Sequence, residues 1–468
     1  MQSVLTINDG NAKLNRRQLL SIGSLGLGSL SLASLMGVKA EATALSEAVR
    51  NKSVVFVFQQ GGPSQFETLN PKPTADDSVR TVCDVIPTAI PGVHFGEFLP
   101  RLANLADRFT NVRSFQTQNA NHNIEPMVGP HSLGTSIPVH YSRVVGTTRP
   151  KTGMPTSAVL YPQSVMDGVP NGLARGDLLE TGPYGAGFAP FVPGKNGQLQ
   201  KDMELNLSRE RFFDDRRTLL SGLDKLKRDA DTSGQFEALD EIQQQAYEIL
   251  LGGGVSRALD LSLEDPAVLE KYDTSEYVTK GAWDRVKRGR AGYYSANAGS
   301  IGKLMCLARR LCEAGCGFVT VHASYAGVWD MHSDLGNLNL IDGMNAIGWS
   351  FDHAISTFIE DVEARGMQDD ILLICCGEMG RTPRINKNGG RDHWAKLAPL
   401  LLYGSGFQHG QVIGASDRTG GEPADNPLNP SHLISTIMNS LFDIGELRLL
   451  SGIPPQVLNL GQKPQIVA

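Results

Sequence analysis

Residues able to do chemistry gather in three stretches of this 468-residue sequence. The densest runs from Ile371 to Trp394: Glu378 follows a charge-free apolar run, and Arg381, Arg384, Lys387 and Arg391 then lead to Asp392-His393-Trp394. A carboxylate, an imidazole and several fixed cations are the groups that would hold a metal beside an oxyanion. The same residues also fit a solvated basic loop whose Asp392 caps a helix. The second stretch is Trp329-Asp330-Met331-His332. Asp330 and His332 flank one residue, so in an extended loop both can converge on one ion, with His322 as a third candidate. Its alternative is a turn with a surface imidazole. In the third stretch, Gln116 to Asn123, amides crowd around His122. Such groups can line a sugar or oxyanion pocket, or simply satisfy turns.

The elements that must position these groups can be read from apolar pattern. Ile371 to Cys376 has no helical period and reads as a strand buried on both faces. Ligands in an open α/β sheet gather beyond the carboxyl ends of its strands, which puts Glu378 where a ligand would sit. Ser53 to Gln59 reads as a first buried strand that ends in Gly61-Gly62-Pro63-Ser64. The glycines could let backbone N–H groups approach an anion, while Ser64 fits a cap. Glu67 could return to the strand end as a ligand or stay on solvated surface. Phe98 to Phe109 has helical spacing, Thr110 to Phe115 reads as a strand, Ser300 to Ala314 as a helix stopped by Gly315, and Gly317 to His322 as a strand. A helix from about Leu340 to Arg365 then feeds the Ile371 strand. Helix, strand and acidic loop thus occur twice in succession, as a doubly wound sheet requires. Between them, Pro150 to Gly197 is rich in Gly and Pro and reads as irregular surface or a lid, while Glu210 to Lys227, Phe236 to Leu251 and Ala267 to Tyr272 read as helical packing.

Composition fits a soluble globular protein, at 41% hydrophobic and 20% charged residues. A formal charge of -6 gives no electrostatic support to nucleic-acid binding. Residues 1–44 read as an export signal: Asn15-Arg16-Arg17-Gln18-Leu19-Leu20 is a twin-arginine pattern, a Gly-, Ser- and Leu-rich apolar segment follows to Val38, and Ala40, Ala42 and Ala44 offer cleavage points. The alternative is a membrane anchor, but Gly and Ser interrupt the segment and small residues follow it directly, which favours cleavage; no later stretch is apolar for long enough to span a bilayer. The expectation is a mature domain of residues 45–468, periplasmic or extracellular. The six cysteines form no metal or disulfide framework; one disulfide after export or buried small side chains both fit.

The order of GGPSQFETLNPKP, the Asn-His loop, ARRLCEAGCGFVTVH, WDMH and GEMGRTPRINKNGGRDHW resembles an exported bacterial family, domain of unknown function 1501. Through it the chain resembles the alkaline phosphatase and sulfatase superfamily. The resemblance implies an α/β/α sandwich on a mostly parallel sheet, alkaline-phosphatase-like, with a helical and irregular insertion at roughly 153–292. The run from Gly366 to Glu378-Met379-Gly380 is similar to the sulfatase segment that ends in a metal pair: Glu378 keeps the carboxylate and Met379 loses the second ligand. Asp330 with His332 resembles the superfamily's Asp and His pair at a shorter spacing, and His393 its late histidine. The Asp pair that sulfatases carry after the first strand falls at about Gln60 and Gly61. The nucleophile position, counted from Phe109-Thr110-Asn111, lands on Asn119, and neither Asn119, Asn121 nor His122 can form the usual ester intermediate.

The resemblance therefore implies an exported, metal-binding, hydrolase-like protein acting on a sulfate or phosphate ester, either small or part of a sulfated polymer. Asp330, His332 and His393 would hold a divalent ion, with Glu378 and Asp392 beside it; zinc or manganese suits such mixed N and O ligands. Arg381, Arg384 and Arg391 would clamp the oxyanion, and Asn121 and His122 are the catalytic candidates, with water as the nucleophile. The rival expectation is a binding or structural protein that kept the sandwich and lost the chemistry.

Overall fold

The computed structural model describes residues 44–149, 152–194, 254–280 and 290–467, apart from 323, 324, 326 and 335. The twin-arginine pattern and the helices expected at Glu210 to Lys227 and Phe236 to Leu251 lie outside these residues. In chain order the strands are β1 (Ser53–Phe58), β2 (Val85–Pro87), β3 (His94–Gly96), β4 (Thr110–Val112), β5 (Ser157–Leu160), β6 (Phe318–His322), β7 (Ile371–Cys376), β8 (Gly380–Ile385), β9 (Arg391–Trp394), β10 (Leu400–Gly404) and β11 (Gln411–Ile413). The principal helices are α1 (Pro100–Asn104), α2 (Ile137–Val145), α3 (Ala291–Glu313), α4 (Leu340–Ala364) and α5 (Pro430–Leu441).

Alternation along the central strands dictates two layers of helix. In β1, Val55 and Val57 enter one core while Val54, Phe56 and Phe58 enter the other. β7 repeats the pattern with Ile371, Leu373 and Cys375 on one side and Leu372, Ile374 and Cys376 on the other. Successive side chains of a strand point to opposite faces, so a strand that is apolar throughout must be covered twice. Helices α3 and α4 cover the first face, with Ile301, Leu304, Ile347, Phe351 and Phe358 in that core. Helices α2 and α5 cover the second, through Ile137, Tyr141, Leu433, Ile434 and Ile437. The result is an α/β/α sandwich.

Seven strands form one sheet in the order β11-β4-β10-β7-β1-β6-β5. Only β10 is antiparallel to its neighbours; all other pairings are parallel. Strand β5 corrects the expected insertion: Ser157–Leu160 pairs with β6 as part of the sheet, although it falls inside 153–292. Four apolar or small residues between Pro155 and Pro162 are too short a run to show a strand period. Helix α3 likewise starts at Ala291 rather than Ser300. Its glycines hide the helical pattern but have a packing role, since a Cβ on Gly302 would lie 1.8 Å from the Tyr272 carbonyl oxygen. The expected loop after Glu378 is instead a β8–β9 hairpin.

Buried Arg309 of α3 ties the helical layer together, pairing with Glu264 and Glu313 at 2.6 Å and with Asp361 of α4 at 3.0 Å. All six cysteines are free, and all but Cys83 are buried. No helix among the described residues is long and apolar enough to cross a membrane. Because β1, β4, β6 and β7 run in the same direction, the segments that follow Phe58, Val112, His322 and Cys376 all leave from one edge of the sheet.

Candidate metal centre

Asp330 is the hub of this edge. It is 2% exposed and delivered by the segment after β6. Its Oδ1 lies 2.7 Å from Arg381 Nη2, 2.5 Å from His332 Nδ1 and 3.3 Å from His393 Nε2. Its Oδ2 lies 3.0 Å from His122 Nε2. Burial alone would raise its pKa, but Arg381, followed by the three imidazoles, outweighs burial and holds the carboxyl well below the usual carboxylate range.

His122 joins Asp330 to the segment after β7. Its Nδ1 lies 2.8 Å from Glu378 Oε1, so each ring nitrogen faces a carboxylate. Burial opposes a charge on this ring, but the hydrogen bonds to Asp330 and Glu378 win and lift its pKa above the ordinary value. Glu378 is fully buried, and its two oxygens accept from the Gly61 N–H at 2.8 and 3.1 Å. The double glycine after β1 therefore does offer an N–H to an anion, but the anion is the protein's own. Gly61 has φ +113°, and a Cβ there would sit 2.6 Å from Asp330 N, so the close passage of two loops requires glycine.

His393 is carried by β9 and stands edge-on to His122, ring centroids 4.5 Å apart. Its Nδ1 faces the Ala120 carbonyl at 3.0 Å, which turns Nε2 toward Asp330. One ligand atom from each of His122, Asp330 and His393 lies within 4.8 Å of the others. His122 Nε2 faces Oδ2 of Asp330 at 3.0 Å and His393 Nε2 faces Oδ1 at 3.3 Å, so the carboxylate stands between the two imidazoles. Two imidazoles and a carboxylate are also a suitable donor set for zinc or manganese, so these residues fit a divalent ion.

The structure thus brings together Asp330, His332, Glu378 and His393, and adds His122 as a ligand candidate that the sequence offered only as a catalytic one. Asp392 does not join them. It lies between Arg391 and His393 in β9, so its side chain leaves by the opposite face; it is exposed and accepts from Asn386 at 3.0 Å. His322 ends β6 fully buried, with Nε2 on Gln60 Oε1 at 2.9 Å, and burial pushes its pKa down to about 4.

The expected oxyanion clamp is corrected as well. Arg381 is fully buried and donates to the carbonyls of Gly61, Gly62 and Arg391 besides pairing with Asp330. Arg391 is fully buried against Glu67 at 3.1 Å and lies over the Phe66 ring at 4.0 Å. Glu67 is therefore neither a metal ligand nor solvated surface, and Ser64 donates to it instead of capping a helix. Arg384 is exposed and lines no part of the cavity beside the cluster.

That cavity, of about 650 Å³, opens next to His122 and His393 and is also lined by Asn121, Glu125, Arg175 and Asp177. None of its described lining residues is a serine, threonine or cysteine. Sequence reasoning missed Arg175, whose flanking glycine and aspartate give it the look of a surface turn.

Solved structures of similar chain course include Ps i-CgsB, at 9% identity over 89% of this chain and 78% of that one with a TM-score of 0.34. The PsFucS1 sulfatase from Pseudoalteromonas sp. matches at 12% identity over 82% and 69%, TM-score 0.30. The phosphonate monoester hydrolase SpPMH from Silicibacter pomeroyi matches at 13% identity over 84% and 73%, TM-score 0.30. No curated protein matches the sequence. The sequence family described as "Protein of unknown function (DUF1501)" matches residues 51–445, and the chain belongs to it.

Proposed function

We propose that the protein is a metal-dependent hydrolase of an anionic ester, a sulfate or a phosphate. The observation that carries this reading is the His122, Asp330 and His393 triad, whose ligand atoms lie within 4.8 Å of one another, with both histidines lining the cavity. These three residues would hold the ion, zinc or manganese, and the ion would supply Lewis acidity toward an ester oxygen. The chain's own residues do the rest. Ala120 and Glu378 orient the imidazoles of His393 and His122, and Arg381 balances the Asp330 charge. The cavity admits the ester, and with no hydroxyl or thiol among its described lining residues a water would be the attacking group.

A second reading has its own support. Asp330 is already satisfied by Arg381 and three imidazoles, and such a cluster can hold the sheet edge together with no ion. In that case the protein is a binding or structural scaffold. Elemental analysis of protein purified without chelator separates the two. About one equivalent of transition metal is expected in the wild type and in Asp392→Ala, and none in a His393→Ala variant that keeps its circular dichroism. A metal-free wild type would sink the hydrolase reading and leave the scaffold. A metal-loaded wild type should then hydrolyse a sulfate or phosphate ester in a screen, and His393→Ala should not.

A further inference from the structure

We propose that Arg175 is the residue that takes the anionic head of the substrate, and that the cavity is built for a head bearing a single negative charge. This rests on the hydrolase reading and names the substrate class for that site.

The three arginines nearest the cluster in sequence cannot serve. Arg381 and Arg391 spend their donors on internal partners, and Arg384 lies off the cavity. Arg175 is the only arginine or lysine among the cavity's described lining residues. It is exposed, and its guanidinium has no hydrogen bond or ion pair among the described residues.

Its backbone, by contrast, is held at both ends of its peptide groups. Gln60, 2% exposed and just beyond β1, donates from Nε2 to the Arg175 carbonyl at 2.9 Å and accepts the Arg175 N–H on Oε1 at 3.2 Å. The same Oε1 accepts from His322 Nε2 at 2.9 Å, so the amide is pinned from the sheet side too. On either side of Arg175 the segment is anchored by a bridge from Leu173 to Tyr325 and by buried Leu178, whose carbonyl accepts from Ser136 Oγ at 2.7 Å. A fixed backbone thus holds in the cavity's lining an arginine whose guanidinium has no hydrogen bond or ion pair among the described residues, and that combination suits an anion site. Planar guanidinium matches two oxygens of a tetrahedral ester at once.

The rest of the wall sets the charge. Glu125, Asp177 and Glu180 line the same cavity; with Asp330 and Glu378 they make five carboxylates, which exceed the four positive charges of a divalent ion, Arg175 and Arg381. A head with one negative charge pairs with Arg175, whereas a second charge would face these carboxylates. A sulfate monoester and a phosphodiester carry one charge at neutral pH; a phosphate monoester approaches two. Asn121, Asn123 and the carboxylates also offer donors and acceptors to hydroxyl groups on the remainder of the substrate.

The test is calorimetric binding of methyl sulfate, dimethyl phosphate and methyl phosphate to the full chain at pH 8, with metal content measured on each preparation. Wild type should bind one of the two monoanions more tightly than methyl phosphate, and which one it prefers names the ester. Arg175→Ala should weaken that binding roughly 10- to 100-fold, the worth of a charged hydrogen-bonded contact, and Arg384→Ala should leave it unchanged. Equal binding by Arg175→Ala and wild type, no binding by wild type, or tighter binding of methyl phosphate overturns the proposal. A protein that holds metal yet binds anions without regard to Arg175 refutes this inference alone. A metal-free wild type refutes the hydrolase reading beneath it.

Discussion

Replacing Arg381 by alanine should unfold the site rather than weaken substrate binding. The side chain is fully buried, its Nη2 is 2.7 Å from Asp330 Oδ1, and its other donors reach the carbonyls of Gly61, Gly62 and Arg391. Removing one partner of a buried ion pair costs about 3–5 kcal/mol, and the low end applies here because His122, His332 and His393 still face Asp330. Each carbonyl that then finds no water adds on the order of 1 kcal/mol. The sum is at least about 4 kcal/mol, a large share of the roughly 5–15 kcal/mol by which folded proteins exceed their unfolded states. Arg381→Lys should recover only part of the loss, since an ammonium restores the charge but cannot reach several acceptors from one plane. Urea denaturation followed by fluorescence and circular dichroism measures both variants. The clamp expected from sequence makes the opposite forecast of normal stability with impaired ester binding. An Arg381→Ala protein within about 1 kcal/mol of wild type would refute the structural argument.

Two further outcomes follow from the same edge of the sheet. Gly61→Ala must open the contact with the Asp330 backbone nitrogen, 2.6 Å from the added Cβ, in a conformation at φ +113°; a stability loss of about 2 kcal/mol or more is expected, with metal content reduced, and wild-type behaviour in both would contradict the close passage. His322 is held neutral in the folded chain, with its pKa depressed to about 4, while the unfolded chain protonates near its ordinary value. Its stabilising contribution is therefore complete above about pH 6.5 and is lost as pH falls toward 4, by up to about 3 kcal/mol. His322→Gln, which can still donate to Gln60, should show a flatter stability profile across that window, and an unchanged slope would rule out His322 as its source.

Much of the scaffold was legible because it obeys short-range rules. β1, β6 and β7 are runs apolar on both faces, and their carboxyl ends pointed to Asp330 and Glu378 without any knowledge of partners. The fates of the charged side chains were not legible. Arg381 and Arg391 sit in a Gly- and Pro-rich stretch that looks solvated, and what buries them comes from Gly61, Gly62 and Glu67, more than three hundred positions away. His122 was visible as an odd histidine among amides, but its place between Asp330 and Glu378 depends on strand order, which no local pattern carries. β5 and β10 escaped for different reasons, one being too short to show a period and the other running against its neighbours, a direction that an apolar run does not reveal.

The wide sequence separation of the site's members has a consequence for how the molecule is made. Gly61 and Glu378 are 317 positions apart, and His122 and Asp330 are 208 apart. Closing such long loops is entropically unfavourable until the intervening sheet has formed, so the cluster belongs to the last stage of folding. A truncated or half-synthesised chain has no version of it. An ion that binds there stabilises only the finished molecule, by an amount set by its concentration relative to its affinity, and so acts as a latch that closes after assembly is complete.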